Sequence, residues 1–401
     1  MPRVSVHIVT YNSLPYLENS FRSLAAQTFT DHSLLIIDNA STDGTVAFLD
    51  RFVMETSPTP PSKGGDSDVV PPLRRGGAWG GLRLVKNRDN VGFARAHNQA
   101  IHFTDSEYVL VLNPDVILHE KFLERLVRAM DAVPQAGSAT GKILKAMGNP
   151  KDWLYVIANE VKQSPGDRHV PTAVGTRDDT VDIIDSTGIT GDRKRLFRDR
   201  GAGEEDRGQY DHEENISRIS HIGLISRIGC EGIVGSSGAA AFYRRVALDS
   251  VEFEHEFFDE LYHSYKEDID LALRLSRRGW QCVYVPNARA YHFRSLSAPQ
   301  FQYRLRGYMK RPSQLVFLSY RNHLYTLIKN EPSGLRDLPW IIGWEFGKMM
   351  FLLVIKPWVV VKAWRDIIKN WRELMERRKQ NQKSKIKNQN EGISSRRVGT
   401  P

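Results

Sequence analysis

The first 140 residues show two different periods of apolar and polar positions. Short runs of apolar residues predict buried strands at residues 4–10, 34–37, 82–85 and 108–112. Between these runs, apolar residues recur at helical spacing, which predicts helices at residues 15–25, 45–53, 92–103 and 120–133. Strands that alternate with helices favour an α/β fold with a mainly parallel, doubly wound sheet. In such folds, ligands bind beyond the carboxyl ends of the strands.

Regular patterning resumes near residue 232. We predict a tight turn and strand at residues 235–244, a helix at 267–278 that Gly279 caps, and a strand at 281–285. Three stretches lack periodicity, and we interpret them as flexible surface insertions into the domain. They cover residues 56–81, 145–179 and 212–227.

The most apolar stretch of the chain lies at residues 340–361. Glu345, Lys348 and Lys356 interrupt it, and at 100° per residue they fall on one side of a helix. We therefore predict an amphipathic helix that lies in a membrane interface, because about 20 mostly apolar residues are needed to span a bilayer. A core helix packed on the domain is the alternative. Pro357 is expected to kink the segment.

Composition narrows the class of protein. The chain has 401 residues, 41% hydrophobic and 26% charged, which is typical of a globular protein. The net charge of +9 lies almost entirely in residues 362–401, where twelve Lys and Arg face four acidic residues. The nearly neutral body excludes a broad nucleic-acid-binding surface, and we expect the basic tail to be disordered and to meet anionic lipid.

The cysteine count and the first residues predict a cytoplasmic protein. Cys230 and Cys282 are too few for a disulfide framework and lack the spacing of a metal site, so we expect ordinary buried residues. No basic and apolar leader pattern is visible near Met1, which gives no sign of a secretion signal.

Polar residues follow three of the predicted strands. Thr10, Tyr11 and Asn12 follow the first, Asp38 follows the second, and Asn113-Pro-Asp115 follows the fourth. A carboxylate suits ribose hydroxyls, and a tyrosine ring can stack on a base. Helix capping and turn formation explain Asp38 equally well when it is considered alone. No Gly-x-Gly-x-x-Gly or Walker sequence follows the first strand, so dinucleotide and P-loop sites are not indicated.

Six segments together resemble inverting family 2 glycosyltransferases of the rhamnosyltransferase-like branch. In chain order they are VSVHIVTYNSLPYLENSFRSLAAQTF, LLIIDNASTDGT, NRDNVGFARAHNQAI, VLVLNPDV, GSSGAAAFYRR and YKEDIDLALRLSRRGWQCVYVPNARAYH. The resemblance implies a GT-A fold over residues 1–330, with a donor-binding half at 1–144 and an acceptor and catalytic half at 180–330. Residues 331–378 would form a membrane-associating helical segment and residues 379–401 the tail.

The resemblance also implies roles for individual residues. Nucleotide and donor contacts would come from Thr10, Tyr11, Asn12, Asp38, Asn90, Gly92, Phe93, Asn98 and Asn113. Asp115 would bind a divalent metal, Mg²⁺ or Mn²⁺, and His292 would complete that site. Asn113 replaces the first Asp of the family's Asp-x-Asp motif, which puts the strength of metal binding in doubt. Asp268 would be the general base that takes the proton of the attacking hydroxyl.

Nearby polar residues have simpler explanations. We interpret Asp270 as ordinary charge at a helix N-terminus, and Glu254-His-Glu256 as part of a solvated loop. The motifs at residues 185–188 and 200–211 also resemble the branch, but their roles stay open and turn formation is the default explanation.

The resulting hypothesis is a metal-dependent, inverting hexosyltransferase. It would move a sugar, with rhamnose favoured by the branch resemblance, from a nucleoside diphosphate to a hydroxyl of a lipid-linked or cell-surface glycan. It would act as a peripheral protein on the inner face of the cell membrane. The alternatives are a GT-A-like nucleotidyltransferase, a catalytically disabled nucleotide-sugar-binding protein, and a retaining transferase.

Overall fold

A computed structural model describes residues 1–56, 81–150, 153, 181–211, 232–294, 309–330 and 337–382. The strands are β1 Val4–Thr10, β2 His32–Asp38, β3 Leu82–Lys86, β4 Tyr108–Leu112, β5 Val116–Leu118, β6 Ala136–Lys145, β7 Ile184–Ser186, β8 Ile189–Gly191, β9 Phe197–Asp199, β10 Ala240–Arg244 and β11 Gln281–His292. The helices are α1 Leu14–Ala25, α2 Thr45–Thr56, α3 Phe93–His102, α4 Phe122–Ala132, α5 Arg245–Asp249, α6 Glu267–Arg277, α7 Ser313–Asn330, α8 Leu338–Ile355, α9 Pro357–Lys369 and α10 371–382.

The described strands build one large sheet and one hairpin. The sheet order is β3-β2-β1-β4-β10-β6-β11-β5, with β7 paired to β6, while β8 and β9 pair with each other. Neighbours β3, β2, β1 and β4 are parallel, as are β6 and β11, but β10 runs antiparallel to both β4 and β6. The predicted α/β class is confirmed. The sheet is mixed, however, where we expected it to be mainly parallel.

Helices cover both faces of this sheet. The apolar positions of α1, α2 and α4 pack with Val4, Val6 and Ile8 of β1 in one core cluster. Those of α3, α5 and α6 pack with Val109 and Val111 of β4 in a second cluster on the opposite face. A strand buried on both faces needs an apolar run rather than an alternation, which explains why the sequence shows such runs at β1 and β4.

The predicted insertions lie largely outside the described residues. Residues 57–80, 154–179 and 212–227 belong to that part, and so does Cys230, while Cys282 is buried as expected. Residues 145–153 differ from the prediction, because Lys145 ends the buried strand β6. Trp153 is only 3% exposed and packs against Tyr291 at 5.1 Å between ring centroids.

Three C-terminal helices form a cluster of their own. Apolar residues of α7, α8 and α9 pack together around Tyr262 and Tyr325. The boundary predicted at residue 330 therefore falls inside this cluster, since α7 packs with the helices that follow it. The helix α10 continues past the predicted tail start at 379, and residues 383–401 lie outside the described part.

Among the described residues, one helix, α8, is long and apolar enough to cross a membrane by length and composition. It has 18 residues with a mean hydropathy of 1.5, and 11% of it is buried. In α8 the charged residues Glu345 and Lys348 lie on one side of the helix, as predicted, but that side faces α7, and apolar residues occupy nearly all of the outer surface. The prediction of an amphipathic helix holds for α9, whose Val359, Val360, Ala363 and Ile367 form one buried face.

Two acidic residues are held in ion pairs: Glu256, which we expected in a solvated loop, and Asp270, which we interpreted as ordinary charge at a helix N-terminus. Glu256 lies 2.8 Å from Arg377 of α10, so it joins the domain to the C-terminal helix. Asp270 is fully buried, where Arg274 and Lys329 each lie 2.9 Å from its carboxylate. A buried charge must be paired, so Asp270 has a structural role.

Candidate active site

The carboxyl ends of β1 and β2 hold a fixed carboxylate. Thr10 and Asp38 are register partners, and Thr10 Oγ1 donates to Asp38 Oδ1 at 2.8 Å. Ser41 adds a hydroxyl bond of 2.6 Å and a backbone N–H bond of 3.0 Å to the same carboxylate. Beside this group the Tyr11 side chain is 51% exposed. The arrangement offers an acceptor for sugar hydroxyls next to a free aromatic ring.

Asn12 joins two loops at this edge of the sheet. Its backbone lies in the left-handed region at φ 52°, and its N–H donates to Ser41 Oγ at 2.9 Å. Its side-chain oxygen accepts from the backbone N–H of Thr42 at 2.8 Å. Asn12 therefore orders the loop that carries Tyr11.

The residues expected on the sugar-diphosphate side divide into two groups. Asn90 is exposed, and its side-chain oxygen accepts from the Gly92 N–H at 3.0 Å. Gly92 has φ 87°, and a Cβ there would lie 2.6 Å from atoms of His263, so only glycine fits. This tight approach places the start of α3 against the loop before α6.

Phe93 and Asn98 point into the protein. Phe93 packs on His97 at 4.2 Å between ring centroids. Asn98 is 2% exposed, and its amide bonds the backbone of Phe257 and Phe258 as well as Glu260. The expectation that Asn98 contacts the donor is corrected, because its side chain is fully engaged in positioning residues 257–260.

The Asn113-Pro-Asp115 turn follows the central strand β4. The Asn113 N–H donates to the Ala239 carbonyl at 2.9 Å, which holds the turn against the start of β10. Asp115 is 8% exposed, and its Oδ1 lies 3.2 Å from His292 Nε2. These two residues, 177 positions apart in number, are brought together by the pairing of β5 with the end of β11.

His292 begins a chain of charged groups that the sequence did not reveal. Its Nδ1 lies 2.9 Å from Asp185 Oδ2, and Arg294 bridges Asp185 to Asp199 with two contacts of 2.6 Å. Burial lowers the pKa of His292, but its bonds to Asp115 and Asp185 outweigh burial and raise that pKa to about 9. The only sequence signal for Asp185 was the motif at residues 185–188, which we noted without a role.

The Asp115 and His292 pair fits a divalent cation. A carboxylate oxygen and an imidazole nitrogen 3.2 Å apart can both lie about 2.1 Å from one ion. Asp185 would then orient the ring through its other nitrogen, as second carboxylates do at many metal-binding histidines. Within the described ranges no group of three or more His, Cys, Asp or Glu side chains is arranged to hold a metal, so a cation here needs ligand phosphates to complete its coordination.

Asp268 lies at the N-terminus of α6, beside the same turn. Its Oδ2 accepts from the Gly238 N–H at 3.0 Å, and Gly238 immediately precedes Ala239, which holds Asn113. A Cβ on Gly238 would lie 3.2 Å from that oxygen, so a small residue is needed there. Asp199, the last of the charged groups linked to His292, also raises the pKa of Asp268 by electrostatic repulsion.

The neighbours of Asp268 make its carboxyl a stronger base than a solvated one. Burial raises the pKa of Asp268, the Gly238 hydrogen bond opposes this, and Asp199 adds to the rise. Burial raises the pKa of Glu267 to about 8, with a further contribution from Asp268. Glu267 Oε2 has no hydrogen-bond partner among the described residues. A half-buried carboxylate with a raised pKa suits proton removal from a neutral hydroxyl.

The structure therefore joins Asp115 to His292 by a direct contact, and it holds Asp268 against Gly238, next to the residue that binds the Asn113 turn. The pairing of β1 with both β2 and β4 carries Thr10 and Asp38 to the edge of the sheet at which this turn lies. Of the residues predicted from the sequence, Asn98 uses its side chain to bind residues 257–260 instead.

Comparison with known proteins gives two family matches. Residues 5–186 match the model for Glycosyl transferase family 2, and residues 214–325 match the model for Glycosyl transferase family group 2. Together these regions include Asp38, Asp115, Asp268 and His292, whereas Asp199 lies between them.

Among curated proteins, the chain is similar to the N-acetylglucosaminyl-diphospho-decaprenol L-rhamnosyltransferase of Mycobacterium tuberculosis. The two are 25% identical over 300 residues, which cover 72% of this chain and 75% of that protein. Among solved structures, the mannosyltransferase PcManGT from Pyrobaculum calidifontis in complex with GDP-Man and Mn²⁺ has a TM-score of 0.44 and 16% identity. That alignment covers 92% of this chain and 75% of that one. TarS of S. aureus has a TM-score of 0.43 and 15% identity, with 93% and 55% covered.

Proposed function

The chain belongs to glycosyltransferase family 2, in its rhamnosyltransferase-like branch, and we propose that it transfers a sugar with inversion to a hydroxyl of a lipid-linked acceptor. It has the GT-A fold that the resemblance implied, and it is a glycosyltransferase that uses a nucleotide sugar. A nucleotidyltransferase and a disabled binding protein are not favoured by these matches.

The placement of Asp268 carries the proposal. Its carboxylate is held by the Gly238 N–H beside the Asn113-Pro-Asp115 turn, with a pKa raised by burial. The acceptor hydroxyl would give its proton to Asp268 while its oxygen attacks the anomeric carbon of the donor. The bond from that carbon to the diphosphate then breaks, and the nucleoside diphosphate leaves on the opposite face. Inversion follows from this single displacement.

Donor binding is assigned to the β1 and β2 ends and to the β4 turn. Asp38, fixed by Thr10, would accept from sugar hydroxyls of the nucleoside, and the exposed Tyr11 would stack on its base. Asp115 and His292 would hold a divalent cation, which offsets the charge that develops on the departing diphosphate. The 3.2 Å separation of their ligand atoms supports this.

The donor sugar and the acceptor are proposed from the curated relative. The printed name of the M. tuberculosis protein gives L-rhamnose as the sugar and N-acetylglucosaminyl-diphospho-decaprenol as the acceptor. A dTDP-rhamnose donor and a polyprenyl-diphosphate acceptor follow for this chain. Both would be used at a membrane surface.

The C-terminal helices present a surface suited to that location. The exposed large apolar side chains on α8 and α9 include Trp340, Ile342, Trp344, Phe346, Val354, Trp358 and Ile368. Exposed apolar surface of this kind marks sites of contact with membranes or other proteins. We assign this surface to the membrane interface, on the cytoplasmic face where basic residues of α9 and α10 meet anionic lipid.

The inner side of α8 favours lying on the bilayer over crossing it. Glu345 bonds His323 of α7 at 2.9 Å, and Leu352 of α8 is fully buried in the helical cluster. If α8 crossed the bilayer, Glu345 would lose its bond to His323. Both Glu345 and Lys348 would then lie in hydrocarbon, at a high cost in free energy.

A donor panel tests the function. Purified enzyme in detergent would be given different nucleotide sugars, N-acetylglucosaminyl-diphospho-polyprenol and either Mg²⁺ or Mn²⁺, and the product's anomeric configuration would be read by NMR. We expect transfer from dTDP-rhamnose with an inverted linkage. A retained configuration, or neither transfer nor hydrolysis with any donor, would contradict the proposal.

A further inference from the structure

The four residues before α6 have an unusual backbone. His263, Tyr265 and Lys266 lie in the left-handed region, at φ 62°, 73° and 69°. Residues other than glycine rarely adopt this conformation, and they keep it only where the surrounding structure fixes them. These residues lead directly into α6, which carries Asp268 in its first turn. The position of the proposed base therefore depends on the contacts that hold residues 263–266.

Asn322 of α7 holds this loop. It is fully buried, and its side-chain amide donates to the backbone carbonyl groups of Tyr262, Ser264 and Tyr265 at 3.0, 2.8 and 2.8 Å. An amide group has two hydrogens, so these three acceptors use all of its capacity to donate. One side chain thus fixes the chain at three points just before the base.

Arg321 fixes the orientation of that amide. Its Nε and Nη2 atoms donate to the Asn322 side-chain oxygen at 3.0 and 2.8 Å, so the amide nitrogen faces the loop. Arg321 Cζ in turn lies 5.1 Å from the ring centres of both Phe317 and Tyr325. Its Nη1 lies 3.3 Å from Asp366 of α9. The orientation of Asn322 is therefore set by contacts within the C-terminal helices.

The same loop contacts the start of α3. The His263 carbonyl accepts from the Ala94 N–H at 3.1 Å. The Ser264 hydroxyl accepts from the Phe93 N–H at 3.3 Å. The residues just before α3 are those that we expect on the sugar-diphosphate side of the donor. The loop thus joins α3 to α6, on the two sides of the proposed reaction.

We propose that Asn322 is a positioning residue for Asp268. This rests on the proposed function, in which Asp268 takes the proton of the acceptor hydroxyl. Because Asn322 is fully buried, it acts through the backbone of residues 262–265, which sets where α6 begins. A base displaced by about 1 Å from the reacting atoms can cost about 100-fold in rate. The C-terminal helices therefore serve catalysis as well as membrane contact.

Kinetics of the full-length variant Asn322→Ala test the positioning. We expect kcat to fall about 10- to 100-fold, because the loop loses a donor at three points and Asp268 shifts. The acceptor KM and the Kd of the nucleotide sugar should stay within a factor of about 3, since donor binding is assigned to other parts of the sheet edge. Asn322→Asp keeps the size of the side chain and an oxygen toward Arg321 but removes the donor, so it should lose activity to the same extent.

A matched control lies just after α9. Asn370 Nδ2 donates to the Tyr325 hydroxyl at 2.9 Å, so this amide stabilises the C-terminal helices by bonding α7 rather than the loop. Asn370→Ala should lower the melting temperature and keep kcat within a factor of about 2 of the wild type. A similar loss of kcat in Asn370→Ala and Asn322→Ala would contradict the proposal, because any weakening of the helices would then lower the rate.

A double-mutant cycle tests whether Asn322 acts through Asp268. In the Asp268→Asn background, Asn322→Ala should lower the residual rate by less than about twofold, since the group that it positions is already lost. A further loss as large as in the wild-type background would overturn the proposal, because Asn322 would then act on another part of the site.

Hydrogen exchange separates failure of this proposal from failure of the proposed function. Amide exchange of residues 261–268 should be about tenfold faster in Asn322→Ala than in the wild type, and unchanged in Asn370→Ala. Unchanged exchange in Asn322→Ala would overturn the positioning role, whatever the rate of transfer. Transfer by Asp268→Asn at the wild-type rate would instead contradict the proposed function, which assigns the base to Asp268.

Discussion

Asp268 and Asp270 lie two positions apart on one helix and have opposite environments. Burial would raise the pKa of Asp270, but Lys329 and Arg274 hold it well below its usual range. In the part of the chain that the structure describes, no cation lies within salt-bridge distance of Asp268, and burial raises its pKa. Asp270 is therefore a permanent structural anion, whereas Asp268 can take up a proton.

The sequence assigned no role to Asp185, and its contacts with His292 and Arg294 now indicate one. Its Oδ2 lies 2.9 Å from His292 Nδ1, and its Oδ1 lies 2.6 Å from Arg294. We predict that Asp185→Asn weakens Mn²⁺ binding by about 10- to 100-fold, because His292 loses the carboxylate that orients its ring. Calorimetry of Mn²⁺ binding with a nucleoside diphosphate present measures this. Asp249→Asn, an exposed carboxylate on α5, should leave the affinity unchanged, and a full affinity in Asp185→Asn would exclude the positioning role.

The predicted site residues differ in how far the sequence could place them. Thr10, Asp38 and Asp115 follow buried strands, so the order of strands alone carries them to one edge of the sheet. Asn98 was placed by resemblance alone, and its engagement with residues 257–260 depends on a packing contact between segments 160 positions apart. No local pattern encodes such a contact.

Among the strands and helices, the sequence predicts those whose burial produces a regular pattern of apolar residues. The strands β1, β2 and β4 were visible as apolar runs because both of their faces are covered, and the helices beside them show one apolar stripe each. The strand β6 is equally buried, but its sequence AGSATGKILK is rich in small and polar residues and gives no apolar run. The strands β7, β8 and β9 have three residues each, too few for a period.

The helix α8 shows why periodicity does not fix orientation. The sequence placed Glu345, Lys348 and Lys356 on one side of a helix, and we expected that side to face water. The structure turns Glu345 and Lys348 toward α7, and Lys356 Nζ donates to the Arg311 carbonyl at 3.0 Å. Which side faces outward depends on partners elsewhere in the chain.

The outer surface of α8 predicts vesicle binding that depends on apolar residues. In Phe346→Glu/Val354→Glu, two side chains that are 60% and 81% exposed would become charged. We predict a loss of vesicle affinity of about 100-fold, since each buried apolar side chain contributes roughly 1.5 kcal/mol or more. Sedimentation with anionic vesicles measures it.

A matched control for this prediction lies on α5. Val246 is 58% exposed on the catalytic domain, and Val246→Glu should bind vesicles as the wild type does. Equal binding by the α8 double variant and the wild type would show that the membrane contact lies elsewhere.

The whole molecule contains buried histidines that make its stability depend on pH. Burial lowers the pKa of His7 to about 3, with Arg245 adding to this, and burial lowers the pKa of His97 well below its usual value. In the unfolded chain both titrate near 6.5. Their contribution to stability is therefore complete above that pH and is lost as pH falls below 6.5, because the unfolded state binds more protons. For His7 this loss continues to about pH 3.

We predict a smaller pH dependence of stability for His97→Leu. The wild type should lose roughly 1 kcal/mol of unfolding free energy per such histidine for each pH unit below 6.5. Removing His97 should remove one of these contributions. Urea unfolding at about pH 7.5 and about pH 5.5 measures the difference, and an identical pH dependence in the variant would show that His97 takes up its proton in the folded state.

The whole fold serves to bring residues from distant parts of the chain to one edge of a sheet. Asp115 and His292 meet through the pairing of β5 with β11, and Asp268 meets the Asn113 turn through Gly238 and Ala239. Catalysis by Asp268 at that edge is the claim on which the other assignments depend.

The most direct test is to compare Asp268→Asn with the wild type. Transfer kinetics give kcat, and calorimetry gives the Kd of the nucleotide sugar. We predict that kcat falls at least about 100-fold while Kd stays within a factor of about 3, because the amide keeps the shape of the site but cannot accept the hydroxyl proton. A variant that transfers sugar at the wild-type rate would contradict it.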